Sequence, residues 1–190
     1  MKLGVFGGTF DPIHHGHLVI ALAAVEQLSL DRVVFVPAKR SPLKSDAPVA
    51  GEADRLAMLE RAIAGEPRFE CSRAELEGNA PSYTVDTLEA LSAKGTLFLI
   101  LGGDAVRDLD RWKDPERIRR LATIVVARRP GSEATAGEFV LLDTPLMDVS
   151  SRDLRARAAR GRSLRYLVPD SVWRYIKDRD LYKVTASTAS

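Results

Sequence analysis

The chain has 190 residues, 45% of them hydrophobic and 28% charged, a balance that fits one globular domain with a real core and excludes a disordered or fibrous chain. The net charge of +2 hides an asymmetry: residues 1–95 carry 10 Lys/Arg against 13 Asp/Glu, and residues 96–190 carry 18 against 13. That excess is too small to argue for nucleic acid, the single cysteine excludes an intrachain disulfide framework, and no apolar run reaches the roughly 18 residues of a membrane span.

The chain opens on an apolar run, Leu3-Gly4-Val5-Phe6, that reads as a strand and not as a signal peptide, so a cytoplasmic protein is expected. Next comes Gly7-Gly8-Thr9-Phe10-Asp11-Pro12-Ile13-His14-His15-Gly16-His17, which holds all three histidines of the protein. The pattern predicts strand, glycine turn, short loop and helix N-terminus, with the helical periodicity of Leu18, Leu22 and Val25 setting in near Leu18. Adjacent glycines admit a ligand close to the backbone, and a helix N-terminus attracts phosphate. The stretch is therefore read as a nucleotide-phosphate site with histidines aimed at the reacting phosphoryl group. Any one of these residues alone reads equally well as a turn or a cap. Zinc is a weaker rival: His14 and His17 lie three apart, but Cys71 is remote and no His-Glu-x-x-His occurs. The segment matches neither Walker A nor the dinucleotide fingerprint.

Val33-Val34-Phe35-Val36, closed by Pro37, predicts a buried strand, and residues 38–51, with Pro42, Lys44, Pro48 and Gly51, a long loop. Leu56, Leu59 and Ile63 mark a helix that stops at Gly65, and Phe69 to Ser72 a third strand. Ser82-Tyr83-Thr84-Val85-Asp86-Thr87-Leu88 opens another helix. Leu97 to Leu101 is the most strand-like run and ends on Gly102-Gly103-Asp104, a second glycine turn. Trp112 and Pro115 interrupt the following helical stretch; Ile124 to Ala127 and Phe139 to Leu142 are further strands. Apolar strands alternating with helices predict an α/β fold, a doubly wound, mostly parallel sheet with helices on both faces. Ligands of such sheets sit outside the strands' carboxyl ends, so both glycine turns should face one crevice. Residues 1–184 are expected to form a single domain, with residues 185–190 a disordered tail.

Val149-Ser150-Ser151-Arg152-Asp153-Leu154-Arg155 is a second phosphate candidate. Ser150 and Asp153 form a capping box, so a helix starts here, and Ser151 and Arg155 share one of its faces. A hydroxyl, a guanidinium and free N–H groups suit a polyphosphate, although a capped helix with its arginines in water is the better explanation of the stretch taken alone. Arg157, Arg160, Arg162 and Arg165 read first as a solvated face.

With both stretches in hand, the chain resembles the nucleotidyltransferases that carry a (His/Thr)-x-Gly-His signature, here His14-His15-Gly16-His17, and an Ile-Ser-Ser-type element, here Val149-Ser150-Ser151 with Arg155. Within them it is similar to bacterial nicotinate-nucleotide adenylyltransferases in Ser82 to Leu88, in Leu101-Gly102-Gly103-Asp104 followed by Trp112, and in the close from Tyr166 to Tyr182. The family's Pro-His-Lys/Arg loop departs to Pro42-Leu43-Lys44 here.

The resemblance implies a Rossmann-like fold and an enzyme of NAD biosynthesis that joins ATP and nicotinate mononucleotide into deamido-NAD, releasing pyrophosphate. It implies His14, His17 and Arg155 as catalytic residues. ATP is expected along Gly7, Gly8, Thr9, Phe10 and Gly16, with Gly102, Asp104, Ser150 and Ser151 completing its site. Nicotinate mononucleotide is expected at Thr9, Lys44, Tyr83, Thr84 and Asp104, with Trp112 stacked on the pyridine ring. Mg²⁺ rides on the ATP phosphates with no dedicated protein ligands. The partners are these small molecules, with neither nucleic acid nor membrane, and a homo-oligomer is left open. Two alternatives stand beside this reading: a pantetheine-phosphate adenylyltransferase, and a nucleotide sensor or RNA-binding protein that keeps the fold without the chemistry.

Overall fold

The computed structural model describes residues 1–39, 47–77, 83–127, 139–145 and 147–183, with residues 103 and 104 as backbone only. Lys44, Ser82 and the tail 185–190 therefore lie outside the described residues, as does the domain boundary at 184.

Six described strands form one parallel sheet: β1 (Lys2–Gly8), β2 (Arg32–Pro37), β3 (Phe69–Cys71), β4 (Thr96–Gly102), β5 (Ala122–Ala127) and β6 (Val140–Leu142). Their order is β3-β2-β1-β4-β5-β6, so the chain steps outward from β1 on one side and then restarts on the other. The reversal lies between β1 and β4, which pair from Lys2 opposite Thr96 to Val5 opposite Leu99. Parallel partners end at the same edge, so the carboxyl ends of β1 and β4 flank one crevice at the switch point.

Strand alternation divides the core in two. Phe6, Val33, Phe35, Ile100 and Val125 point into one cluster; Leu3, Val5, Val34, Val36, Leu97, Leu99, Leu101, Ile124 and Val126 point into the other. Four helices cover the first face: α1 (His15–Leu28), α2 (Glu52–Ile63), α7 (Ser151–Ala159) and α8 (Asp170–Asp178). They bury Ala21, Ala24 and Val25, then Met58, Leu59 and Ile63, then Leu154, and finally Val172 and Ile176. The second face is covered by α4 (Thr84–Ser92), through Val85 and Leu88, and by α6 (Pro115–Leu121), through Ile118. Two short helices, α3 (Ala74–Glu77) and α5 (Gly103–Arg107), complete the described set.

Several sequence expectations change. Gly7 and Gly8 are not a turn: both belong to β1, paired with Val36 and Pro37. Gly102 is likewise the last residue of β4 and the N-cap of α5, with an ordinary φ of −75°. The parallel ladder carries each strand to its glycine; β4 then passes directly into α5, whereas residues 9–14 lie between β1 and α1. Helix α1 starts at His15, three residues before the apolar periodicity does, because His14 serves as its N-cap. Pro115 opens α6 rather than interrupting a helix: it occupies the first turn, where its missing N–H costs nothing, behind the N-cap Asp114. Phe139 stays outside β6, and α3 had no signal in the sequence reading.

Candidate active site

At the end of β1 the backbone turns on Phe10, whose φ of 47° is left-handed and costs a non-glycine residue about 1 kcal/mol. Packing holds it there. The Phe10 ring is 2% exposed and meets the rings of Phe6, Phe35 and His17 edge-on, with centroids 5.8, 5.7 and 5.1 Å away. Gly8 makes room for this ring, since a Cβ at Gly8 would stand 2.9 Å from two of its carbons. Of the first glycine pair only Gly8 serves the Phe10 anchor; a Cβ at Gly7 would meet nothing within 4 Å.

Beyond Phe10 the chain runs through a cis Asp11–Pro12 peptide and the fully buried Ile13 to His14. His14 is 3% exposed, and its ring stacks on that of the half-buried His17 with centroids 3.7 Å apart. The His14 N–H donates to His17 Nδ1 at 3.2 Å. This is the back half of a capping box, with histidine at the position usually held by Glu or Gln. An Nδ1 that accepts leaves the proton of the neutral ring on Nε2. Gly16 allows a close approach: its Cβ would lie 3.0 Å from His14 Nδ1, so any larger residue would press on that ring. The His15 N–H, in the first turn of α1, donates to the Leu167 carbonyl at 3.4 Å.

Helix α7 arrives from the other end of the sequence. Ser150 caps it, accepting the Asp153 N–H at 3.1 Å and donating to the Asp153 carboxylate at 2.6 Å. Ser151 Oγ donates to the Pro12 carbonyl at 2.9 Å, and Arg155 Nη1 donates to the Asp11 carbonyl at 2.8 Å. Ser151 and Arg155 therefore do share a face, and it is turned onto the Asp11–Pro12 step. The two segments expected to converge on a triphosphate touch each other.

Three residues that the sequence reading passed over hold this turn. Arg55, fully buried in α2, donates through Nη1 to the carbonyls of Thr9 and Ala38, both at 2.8 Å, and through Nη2 to Lys39 at 3.5 Å. One guanidinium thus ties the ends of β1 and β2 together. Burial pulls its pKa below the usual arginine value, opposed by the negative charges of Asp11 and Glu52. Asp11, 2% exposed, accepts the Val49 and Ala50 N–H groups at 2.8 and 3.2 Å. Tyr182 completes its shell, donating to Oδ1 at 2.7 Å. Burial, and then the charge of Asp11, push the Tyr182 phenol well above its ordinary pKa, so it remains a donor. Asp11 followed by Pro12 inside the histidine motif was a signal that could have been read. Arg55 gave none.

The remaining expected residues form a separate group under the second face. Tyr83 is the N-cap of α4, Thr84 its first residue, and Trp112 closes a 3-10 turn at Leu109–Arg111. Tyr83 and Trp112 are both half-buried against the same apolar cluster. Lys113 lies 4.4 Å from the Tyr83 ring centroid and 3.0 Å from the Asp86 carboxylate. Gly102 and the backbone of Asp104 stand at the carboxyl end of β4; the Asp104 side chain lies outside what is described. No three His, Cys, Asp or Glu side chains gather at a metal-binding distance among the described residues, and no described helix is long and apolar enough to cross a membrane.

The chain is similar to known proteins. The cytidylyltransferase-like family model matches residues 5–157. A probable nicotinate-nucleotide adenylyltransferase of Thermus thermophilus is 47% identical over 188 residues, covering 96% of this chain and 100% of the relative. One of Roseiflexus sp. (strain RS-1) is 45% identical over 194 residues, covering 95% and 98%. Among solved structures, Plasmodium falciparum nicotinic acid mononucleotide adenylyltransferase complexed with NaAD superposes with a TM-score of 0.78 at 18% identity, covering 95% of this chain and 97% of that one.

Proposed function

The chain belongs to the cytidylyltransferase-like family, and we propose that within it this protein is a nicotinate-nucleotide adenylyltransferase of NAD biosynthesis. A 5′-phosphate oxygen of nicotinate mononucleotide attacks the α-phosphorus of ATP. The bond from that phosphorus to the bridging oxygen breaks, deamido-NAD forms, and pyrophosphate leaves with the electron pair. Such a transfer needs placement and charge stabilisation more than a covalent protein intermediate.

The observation that carries this reading is the contact of α7 with the Asp11–Pro12 step beside the stacked histidines, at the switch point of a parallel sheet. His17, with its proton on Nε2, donates to a phosphate oxygen as negative charge builds, and His14 supports it from the stacked ring. Arg155 spends only Nη1 on the turn among the described residues, so Nε–H and Nη2–H serve the β- and γ-phosphates. Ser150 and Ser151 set the N-terminus of α7 toward the same charge. Thr9 and Gly102 line the nucleotide through the backbone, and Asp104 stands near it at the end of β4.

Mg²⁺ supplies neutralisation of the triphosphate when bound. The residues present fit an ion held by the phosphates, because the buried Asp11 carboxylate is already engaged by Tyr182 and two backbone N–H groups. Trp112 stacks on the pyridine ring, with Tyr83 and Thr84 at its carboxylate, and Lys44 is assigned to the same substrate from sequence alone. The working unit is one domain spanning residues 1–184, acting in the cytoplasm.

A pyrophosphate-release assay with ATP and three acceptors tests the reading. Nicotinate mononucleotide should outpace both nicotinamide mononucleotide and phosphopantetheine. A faster rate with phosphopantetheine would overturn the assignment, and no release with any acceptor would favour a nucleotide-binding protein without the chemistry.

A further inference from the structure

Asp11 has no part in the roles assigned above, yet more of the site is fastened to it than to any phosphate-facing residue. Its Oδ2 accepts the Val49 N–H at 2.8 Å; its Oδ1 accepts the Ala50 N–H at 3.2 Å and the Tyr182 hydroxyl at 2.7 Å. Its carbonyl accepts Arg155 Nη1 at 2.8 Å, and the same nitrogen lies 3.8 Å from Oδ2. Three residues further on stands His14, with the fully buried Ile13 between them. One residue therefore sets where the arginine and the histidine turn stand relative to each other.

We propose that Asp11, oriented by Tyr182, is a positioning residue for adenylyl transfer that keeps Arg155 and the His14–His17 turn aligned across the triphosphate. The inference rests on the function proposed above. Among the described residues, Tyr182 is the only side chain that hydrogen-bonds the Asp11 carboxylate, and it holds Oδ1 on the side away from the arginine contact. Without that hydroxyl a buried carboxylate is short of a donor. The nearest replacement is the Arg155 guanidinium, which the carboxylate then draws away from the phosphates. Tyr182 thus acts through Asp11 and needs no contact with substrate.

The test is Tyr182→Phe, which keeps the ring in the core and removes only the hydroxyl. The expected result is a fall in kcat of about tenfold, with KM for nicotinate mononucleotide unchanged within about twofold and the protein folded at the assay temperature. In an Asp11→Ala background the same substitution should change kcat by less than about twofold, because the acceptor through which Tyr182 acts is already gone. A readout independent of turnover is the imidazole NMR spectrum, where only three histidines contribute. The His14 and His17 resonances should move in Tyr182→Phe without substrate.

A normal kcat in the variant, equal losses in both backgrounds, or unmoved imidazole signals would each overturn the proposal. An inactive wild type would instead overturn the functional reading, and the imidazole spectrum would still decide whether Tyr182 positions the turn.

Discussion

The turn after β1 and the group around Tyr83 and Trp112 pack on opposite faces of the sheet and are held by different physics. The first is fixed by buried groups: the Arg55 guanidinium on three carbonyls, Asp11 under Tyr182, and Phe10 in a ring cluster. The second rests on the apolar cluster through Val85, Leu88 and Ile118, and its polar ties are the surface pairs Lys113–Asp86, Arg117–Glu89 and Arg119–Asp110, in each of which at least one partner is about half exposed or more. Exposed pairs of this kind contribute at most about 1 kcal/mol each, whereas a buried polar group deprived of its partner costs about 1–3 kcal/mol. On that energetic contrast the half assigned to the reacting phosphates should be the more rigid and the half assigned to the pyridine nucleotide the more adjustable. Bond-making needs fixed geometry, and an acceptor that enters and leaves needs the opposite.

That contrast sets the expected outcomes. The largest effect belongs to His17→Ala, which should lower kcat by on the order of 10²–10³ with an unchanged circular-dichroism spectrum. Near-normal turnover would remove the catalytic role and with it the reason for the rigid half. Arg55→Met should lower stability by about 3 kcal/mol in urea unfolding, because the Thr9 and Ala38 carbonyls lose their donor. A loss below about 0.5 kcal/mol would show that the surrounding backbone, and not the guanidinium, holds the turn. Trp112→Ala should raise KM for nicotinate mononucleotide about tenfold and leave KM for ATP unchanged; an effect confined to ATP would break the division of labour. The smallest effect is expected from Lys113→Ala, a shift within about 0.5 kcal/mol in thermal unfolding despite its ion pair and its place over Tyr83.

The strands were legible because a parallel sheet buried on both faces is written as continuous apolar runs, as in Leu97 to Leu101 and Val33 to Val36. The cap of α7 was legible because Ser150 and Asp153 lie three apart and act locally. The start of α1 was missed because His14 is not a usual cap residue, and its partner is another histidine. Gly7-Gly8 and Gly102-Gly103 were misread because a glycine pair looks the same whether it turns the chain or ends a strand. What the sequence hid altogether was the buried polar frame. Arg55 sits among Glu52, Asp54 and Arg61 and reads as one more charge on a solvated face. Its acceptors are backbone carbonyls 16 to 46 positions away, which leave no pattern in side-chain identity.

The hydrogen bond between Asp11 and Tyr182 spans 171 positions, nearly the length of the chain. On the ribosome, the histidine motif emerges that whole span before the phenol that steadies it. Every nascent chain short of residue 182 carries the histidine segment without this support, so full turnover should await the synthesis of Tyr182. Chains cut just before Tyr182 should reproduce that immature state.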